Sequence, residues 1–513
     1  MKRLPYLLLC VAVHAASLIP VMAKSSDASK PNIVFILTDN LGYGEVGCYG
    51  GGILRGAATP RIDRLATQGV RLLNFNNEPM CTPSRSSILT GRFAVRTGTY
   101  RLAGRGVGLS QWERTTAELL SDIGYATALY GKWHLGNTPG QLPTDQGFDE
   151  YYGIPNTSNE AFPSRRPAGT NGFAGGGTNR FAGGGGPGNG FHKVVLEGKK
   201  GGKVEVVKEY DLEARRQIDS EITDKTVDFI SRNAKAHKPF YAYVALTQVH
   251  FPTLPNRKFE GITGNGDWAD TLAEMDSNVG QILDVLHKLK IEKDTIFIFT
   301  SDNGAEDQYP WRGWAGPWSG SYFTAMEGGF RCPFIIRWPG HVPENKVSNE
   351  LVHGVDLFTT LAKLTGAQIP SDRIIDGLDQ SDFLLGKKET SSREFIPLYV
   401  GDTIYAAKYK NWKVHYYWQE FARDRAEKLT KPIVFNLYKN PQELEEPTGS
   451  GPWGRYPDYT EVLEKEEAAA LTQVNKLVAE HLKTFETNPP IRISTPEPYI
   501  PPVQSTNAAE VSH

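Results

Sequence analysis

Asn32-Ile33-Val34-Phe35-Ile36-Leu37-Thr38 runs straight into Asp39-Asn40-Leu41-Gly42-Tyr43-Gly44. The first seven residues show no alternation of apolar and polar side chains. A continuous apolar run of this length predicts a strand buried on both faces, as in a parallel sheet held between helices. Its exit is a loop rich in oxygen ligands. Thr59-Pro60 then opens a helix through Leu65, with Thr as its cap and Pro in the first turn.

The same grammar repeats downstream. A helix near 116–123 leads to a strand at 125–130, and 239–247 reads as another buried strand. A long amphipathic helix over 268–289 precedes a strand at 295–300; a further strand at 333–337 and a helix at 356–364 follow. Strands alternating with helices predict an α/β fold: a large mixed, mostly parallel sheet flanked by helices. Such sheets keep their chemistry in the polar loops at strand ends.

After about residue 386 the pattern changes. Short strands at 395–400, 404–408, 412–417 and 434–438 lie close together. A helix over 460–485 follows, with Leu463, Ala470, Leu471, Val474, Leu477 and Leu482 at roughly helical spacing. This predicts a smaller C-terminal antiparallel sheet with a covering helix. The domain reading is therefore a main unit over 24–386, a subdomain over 387–486 and an extended Pro-rich tail over 487–513. The glycine-dominated stretch 167–190 lacks the strand-turn-helix context and the Lys-Ser/Thr ending of a phosphate loop. It reads as a mobile surface loop bordering the site.

The chain has 513 residues and a net charge of −2, which gives no electrostatic case for nucleic acid or an anionic membrane surface. Lys2 and Arg3, the apolar run from Leu7 to Pro20 and the small residues up to Ala23 read as an export signal over 1–23. A periplasmic or secreted protein is expected. No other stretch is apolar for long enough to span a bilayer. Cys10 falls inside the signal, leaving Cys48, Cys81 and Cys332. Three thiols are not a disulfide framework. A Cys48–Cys332 bridge and two free thiols both remain open; on either reading Cys81 is unpaired.

Cys81-Thr82-Pro83-Ser84-Arg85-Ser86-Ser87-Ile88-Leu89-Thr90-Gly91 carries the most chemistry. Pro83 and Ser84 suit a helix start, which places Cys81 where the helix dipole favours an anion and Arg85 one turn further in. Asp39-Asn40 and Asp302-Asn303-Gly304 each follow a predicted strand. Either pair alone could be an Asx turn. Two pairs at strand ends suit a hard cation, and Ca²⁺ tolerates such irregular oxygen geometry better than Mg²⁺. Gly131-Lys132-Trp133-His134 and Val249-His250-Phe251-Pro252 add a lysine and two histidines at further strand ends. Arginine and lysine match a tetrahedral oxyanion, and imidazole is poised for proton transfer near neutral pH.

Cys81-Thr82-Pro83-Ser84-Arg85 followed by Leu89-Thr90-Gly91 resembles the maturation and active-site signature of the type I, formylglycine-dependent sulfatases, within the alkaline-phosphatase superfamily. The other segments match that family in order and rough spacing. The resemblance implies that a dedicated formylglycine-generating enzyme oxidises Cys81 to formylglycine, whose hydrate attacks the sulfur of a small-molecule or carbohydrate sulfate ester. It also implies one Ca²⁺ held by Asp39, Asn40, Asp302, Asn303 and the modified Cys81. Arg85, Lys132 and His134 would handle the sulfate and the nucleophile, and His250 would protonate the leaving oxygen. Residues 326–333 and 337–340 resemble family segments of structural character.

Two positions depart from the family pattern. Asn40 stands where a second Asp is common, which removes one negative charge from the cation site. Tyr322 stands where many members place a Lys that touches the sulfate and the leaving oxygen; Arg312 is a candidate to compensate. The aromatic stretch from Tyr309 to Trp318 reads as packing between loops or, if it borders the site, as a surface for an aryl or sugar ring. Two other functions remain open: a phosphodiesterase or phosphonate monoester hydrolase of the same superfamily, and a non-catalytic binding protein in which Cys81 stays a thiol.

Overall fold

β1 (Asn32–Asp39) is buried along nearly its whole length, and its residues feed two separate cores. Val34 and Ile36 join one cluster; Ile33, Phe35 and Leu37 join the other, on the opposite face of the sheet. That split is the physical meaning of the unalternating run. The computed structural model describes residues 30–103, 108–163, 191–444 and 457–491. The expected export signal, the glycine-rich stretch 167–190 and the tail beyond residue 491 lie outside the described residues.

Along the chain, α1 (Pro60–Thr67), β2 (Val70–Asn76), α2 (Cys81–Thr90), α3 (Ala94–Thr97) and α4 (Thr116–Asp122) follow β1. Next come β3 (Ala126–Gly131), β4 (Glu150–Gly153), β5 (Val194–Lys199), β6 (Glu205–Glu209), α5 (Leu212–Lys235) and β7 (Phe240–Val249). The central part closes with α6 (Asp267–Lys288), β8 (Thr295–Ser301), a small hairpin of β9 (Asp307–Gln308) and β10 (Trp311–Arg312), and α7 (Glu327–Phe330). β11 (Arg331–Arg337), β12 (Lys346–Ser348), β13 (Val352–His353), α8 (Val355–Thr365) and α9 (Ser381–Leu384) complete it.

The main sheet has eleven strands in the order β12-β2-β11-β8-β1-β7-β3-β4-β5-β6, with β13 also on β2. β1 pairs in parallel with β7 and β8, and β3 with β7 and β4. β11 is antiparallel to both of its neighbours, as is β5 to β4. The expected mixed, mostly parallel sheet is therefore present. One local expectation fails: Thr59 does not cap α1 with its side chain. Its hydroxyl instead accepts from the Gly47 N–H at 2.8 Å and donates to Asp63 at 3.2 Å.

β14 (Phe395–Val400), β15 (Thr403–Tyr409), β16 (Trp412–Trp418) and β17 (Glu427–Asn436) form the antiparallel C-terminal sheet, and α10 (Pro457–Thr487) packs on it through Val474. This sheet meets the main body twice. Ile396 and Leu398 share an apolar cluster with Phe93, Val95 and Val355. Beside it, Glu327 accepts from Lys408 at 2.8 Å and Lys413 at 3.0 Å and also pairs with Arg331. Lys413 and His415 both bind Glu443, at 2.7 and 2.6 Å. All of these charges are buried. Glu327 and Arg331 of the segment 326–333 thus tie the two sheets together.

Candidate active site and metal centre

The strands β8, β1, β7 and β3 lie side by side in that order, and each delivers candidate residues from its carboxyl end. β1 gives Asp39 and Asn40, β8 gives Asp302 and Asn303, β3 gives Lys132 and His134, and β7 gives His250. Leu37 pairs with both Thr300 and Ala245, and Ala245 with Gly131, so the four ends stand level. This is the place where open α/β sheets bind ligands. Gly131 is required here: its φ is +120°, and an added Cβ would lie 1.8 Å from the Ala245 carbonyl oxygen. Asn40 and His134 both take φ of +58°, a left-handed conformation that Asn and His adopt more readily than most residues.

α2 begins at Cys81, preceded by Met80, which makes no side-chain cap. The helix N-terminus is therefore left facing the strand ends. Cys81 Sγ lies 3.5 Å from Asp39 Oδ1 and from Asn40 Oδ1. Burial raises the thiol well above its ordinary pKa, and Asp302 and Asp39 add to the effect against Lys132 and Arg85. In the protein's own field Cys81 is a neutral thiol, not a reactive thiolate.

Cations surround it. Lys132 Nζ donates to both oxygens of Asp39, at 2.9 and 2.7 Å. Burial pulls its pKa down, but the Asp39 carboxylate more than offsets that, so the ammonium is retained. Arg85 donates to Asp302 Oδ2 from Nε and Nη2, at 3.1 and 2.8 Å, and from Nη1 to the Lys132 carbonyl at 2.7 Å. His134 is buried, and its Nδ1 has no hydrogen-bond partner among the described residues. Burial, then Lys132 and Arg85, push its pKa well down, so it is neutral.

The four oxygen-bearing residues are linked to one another. The Asn40 N–H donates to Asp302 Oδ1 at 3.0 Å, and Asn303 Nδ2 donates to Asn40 Oδ1 at 2.7 Å. Asn303 Oδ1 is buried with no hydrogen-bond partner among the described residues. An orphaned amide oxygen beside two carboxylates and a second amide oxygen fits a hard cation. One oxygen of Asp39, Cys81 Sγ and a ring nitrogen of His250 also lie within 4.8 Å of one another.

His250 is oriented on both sides. Its Nδ1 lies 2.7 Å from the Phe251 carbonyl oxygen, which only accepts, so Nδ1 carries the proton. Nε2 faces the Thr157 hydroxyl at 3.1 Å. Burial and then Lys132 hold the pKa well below its usual value, leaving the ring neutral. Arg215, buried and paired with Asp219, donates to the His250 carbonyl at 3.1 Å and fixes the loop.

The nine predicted catalytic and cation-binding residues thus fall in one buried cluster. Arg312 does not: it is 59% exposed and paired with Asp307. Tyr322 does lie near Cys81 and Glu306; burial, then those two groups, push its phenol well up in pKa. Sequence reasoning missed Glu306, Thr157 and Arg215. For Glu306 there was a signal, an acidic residue three beyond Asn303 in the same strand-end loop. Thr157 and Arg215 carry no local signal, because only the tertiary fold brings them to His250. The aromatic stretch reaches the site rim: Trp311 lies 6.2 Å from Phe162, Phe162 lies 6.3 Å from Phe251, and Phe251 stacks on His250.

With this geometry in view, comparisons with known proteins define the family. The sulfatase family model matches residues 31–367. N-acetylgalactosamine-6-sulfatase of Canis lupus familiaris is 32% identical over 90% of this chain and 87% of its own length. Human arylsulfatase A is 33% identical over 83% of this chain and 85% of its own. Among solved structures, the PsFucS1 sulfatase from Pseudoalteromonas sp. aligns with a TM-score of 0.78 at 31% identity, covering 91% of this chain and 92% of that one. The chain belongs to the sulfatase family, and it is a sulfuric ester hydrolase. Among the described residues, no helix is long and apolar enough to cross a membrane.

Proposed function

We propose that this chain hydrolyses a sulfated carbohydrate, with formylglycine made from Cys81 as the nucleophilic residue and one Ca²⁺ at Asp39, Asn40, Asp302, Asn303 and the modified Cys81. The observation that carries the reading is the position of Cys81 Sγ, at a helix N-terminus and 3.5 Å from both Asp39 and Asn40. A buried neutral thiol is a poor nucleophile there, whereas an oxygen nucleophile at the same point would face the sulfate. When present, the aldehyde hydrate supplies that oxygen, and the cation supplies positive charge against the oxygens of the sulfate.

The chain's own residues do the rest. Arg85 and Lys132 remain cationic and draw the sulfate to the helix N-terminus. Neutral His134 offers a ring nitrogen to the nucleophile. As the anion enters, His250 takes a proton at Nε2, its Nδ1 being committed to Phe251, and passes it to the leaving oxygen as the S–O bond breaks. Water restores the site, and hydrogen sulfate leaves. The carbohydrate assignment is supported by the names of the relatives, among them several N-acetylgalactosamine-6-sulfatases. Export to the periplasm or medium, guided by residues 1–23, belongs to the same reading.

The test is a panel of sulfated glycans beside an aryl sulfate and an aryl phosphate diester, using protein made with a formylglycine-generating enzyme. A glycan sulfate should give the highest kcat/KM. Preference for the phosphate diester by several decades would sink the reading in favour of the phosphodiesterase branch.

A further inference from the structure

Glu306 is buried and takes part in none of the steps above. Its Oε2 accepts two hydrogen bonds that reach opposite halves of the site. Asn40 Nδ2 donates to it at 3.1 Å, and the Phe251 N–H donates at 3.0 Å. The first bond sets the flip of the Asn40 amide. With Nδ2 committed to Glu306, Oδ1 must point the other way, toward Asn303 and Cys81. The second bond holds the peptide of Phe251, whose carbonyl takes the proton of His250 Nδ1 and so sets the ring's tautomer. The imidazole also stacks on the Phe251 ring, with centroids 4.8 Å apart. A single carboxylate oxygen therefore fixes which atom Asn40 presents and how His250 is aimed.

We propose that Glu306 is a positioning residue that couples the cation site to the proton donor: it orients the Asn40 amide and anchors the Phe251 peptide behind His250. This rests on the roles proposed above for Asn40 and His250. Hydrogen bonds behind a ligand commonly tune metal affinity by 10–100-fold.

Two variants test the orienting role. Glu306→Gln is nearly isosteric and keeps an acceptor oxygen for Asn40 and Phe251, whereas Glu306→Ala removes both bonds. Calorimetric Ca²⁺ titration and kcat for a phenyl sulfate series of graded leaving-group pKa are measured on each full-length variant, with circular dichroism to confirm folding. Glu306→Ala should weaken Ca²⁺ binding at least tenfold and steepen the leaving-group dependence of kcat. Glu306→Gln should weaken Ca²⁺ binding by less and leave the leaving-group slope near that of the wild type. A folded Glu306→Ala with unchanged Ca²⁺ affinity and an unchanged slope overturns the proposal. So does an equal rate loss for all esters without a change in Ca²⁺ affinity, because that is a merely structural effect. If wild-type protein itself binds no Ca²⁺ or turns over no sulfate ester, the reading under Proposed function fails instead. If Glu306→Ala does not fold, Glu306→Asp, which draws the carboxyl back by one methylene from both Asn40 and Phe251, takes its place with the same outcomes.

Discussion

The imidazole of His250 lies nearly parallel to the ring of Phe251, at 21°, and hydrogen bonds the carbonyl of the same residue. One neighbour thus fixes both the plane of the ring and the nitrogen that keeps its proton. The other nitrogen, Nε2, meets only the Thr157 hydroxyl and is the one that serves the leaving oxygen. His250→Ala should therefore lower kcat by about 10²–10⁴-fold for alkyl or sugar sulfates, the usual contribution of general acid catalysis. For 4-nitrophenyl sulfate, whose leaving group needs no proton, the loss should be small. Equal losses on both substrates would argue against proton donation.

The rings of Phe251, Phe162 and Trp311 continue outward from His250 in steps of 6.3 and 6.2 Å. They offer a sugar leaving group that extends outward from His250 a surface to stack on. Trp311→Ala and Phe162→Ala should raise KM for a sulfated oligosaccharide about 5–30-fold, on the scale of ~1–2 kcal/mol for a lost stacking contact. Small alkyl sulfates, which end before Trp311, should be unaffected by Trp311→Ala. Steady-state kinetics on both substrates decides the point, and unchanged KM for the oligosaccharide would return the stretch to a packing role.

Intact-peptide mass spectrometry across Cys81 tests the nucleophile directly. Formylglycine is lighter than cysteine by about 18 Da, from exchanging SH and H for an aldehyde oxygen. Protein from a host with the maturation enzyme should show that loss. Cys81→Ala should abolish turnover while circular dichroism stays that of the native fold. An unmodified peptide in fully active protein would rule out the formylglycine route.

The legibility of this site in the sequence follows from where its residues sit. Asp39, Lys132, His250 and Asp302 each lie just past a strand whose apolar run is unbroken, so one rule found all four. Cys81 and Arg85 were visible through helix-start residues and a family signature. Elements with mixed patterns escaped. α5 mixes Arg215, Asp219 and Asn233 with Ile218, Ile222, Phe229 and Ile230 on its buried face, so polar residues interrupt the apolar stripe along its 24 residues. β2 is interrupted by Arg71 and Asn74, and β6 is largely exposed. Glu306 and Thr157 act through long-range contacts, 266 and 93 residues from their partners, which no local pattern encodes.

The C-terminal sheet is fastened to the main body by buried charge. Glu327 alone engages Arg331, Lys408 and Lys413, and Lys408 also donates to Asn74 and Asn76 at 2.9 and 3.0 Å. Removing one member leaves the others desolvated and uncompensated. Glu327→Ala should cost about 3–5 kcal/mol, seen as a lower urea midpoint. Glu389→Ala, which removes an exposed partner of Lys346, should cost under ~1 kcal/mol. A similar midpoint for the two variants would show that the network is not a stabilising contact between the sheets.

A buried acid outside the site gives the stability a pH dependence of definite sign. Glu274 on α6 accepts from the Asn256 N–H at 2.8 Å, and burial, reinforced by Asp219, raises its pKa to about 8. In the unfolded chain it ionises near the ordinary value of about 4.3. Between those two values the folded state holds a proton that the unfolded state has released. Its contribution is therefore fully present below the unfolded pKa and is lost as pH rises through about 8. Glu274→Gln keeps an oxygen for Asn256 and cannot ionise. The variant should match the wild-type melting temperature near the bottom of that window and exceed it above the top. Scanning calorimetry across the window would show a wild-type Tm falling more steeply than that of the variant, and parallel curves would mean that Glu274 is ionised in the fold throughout.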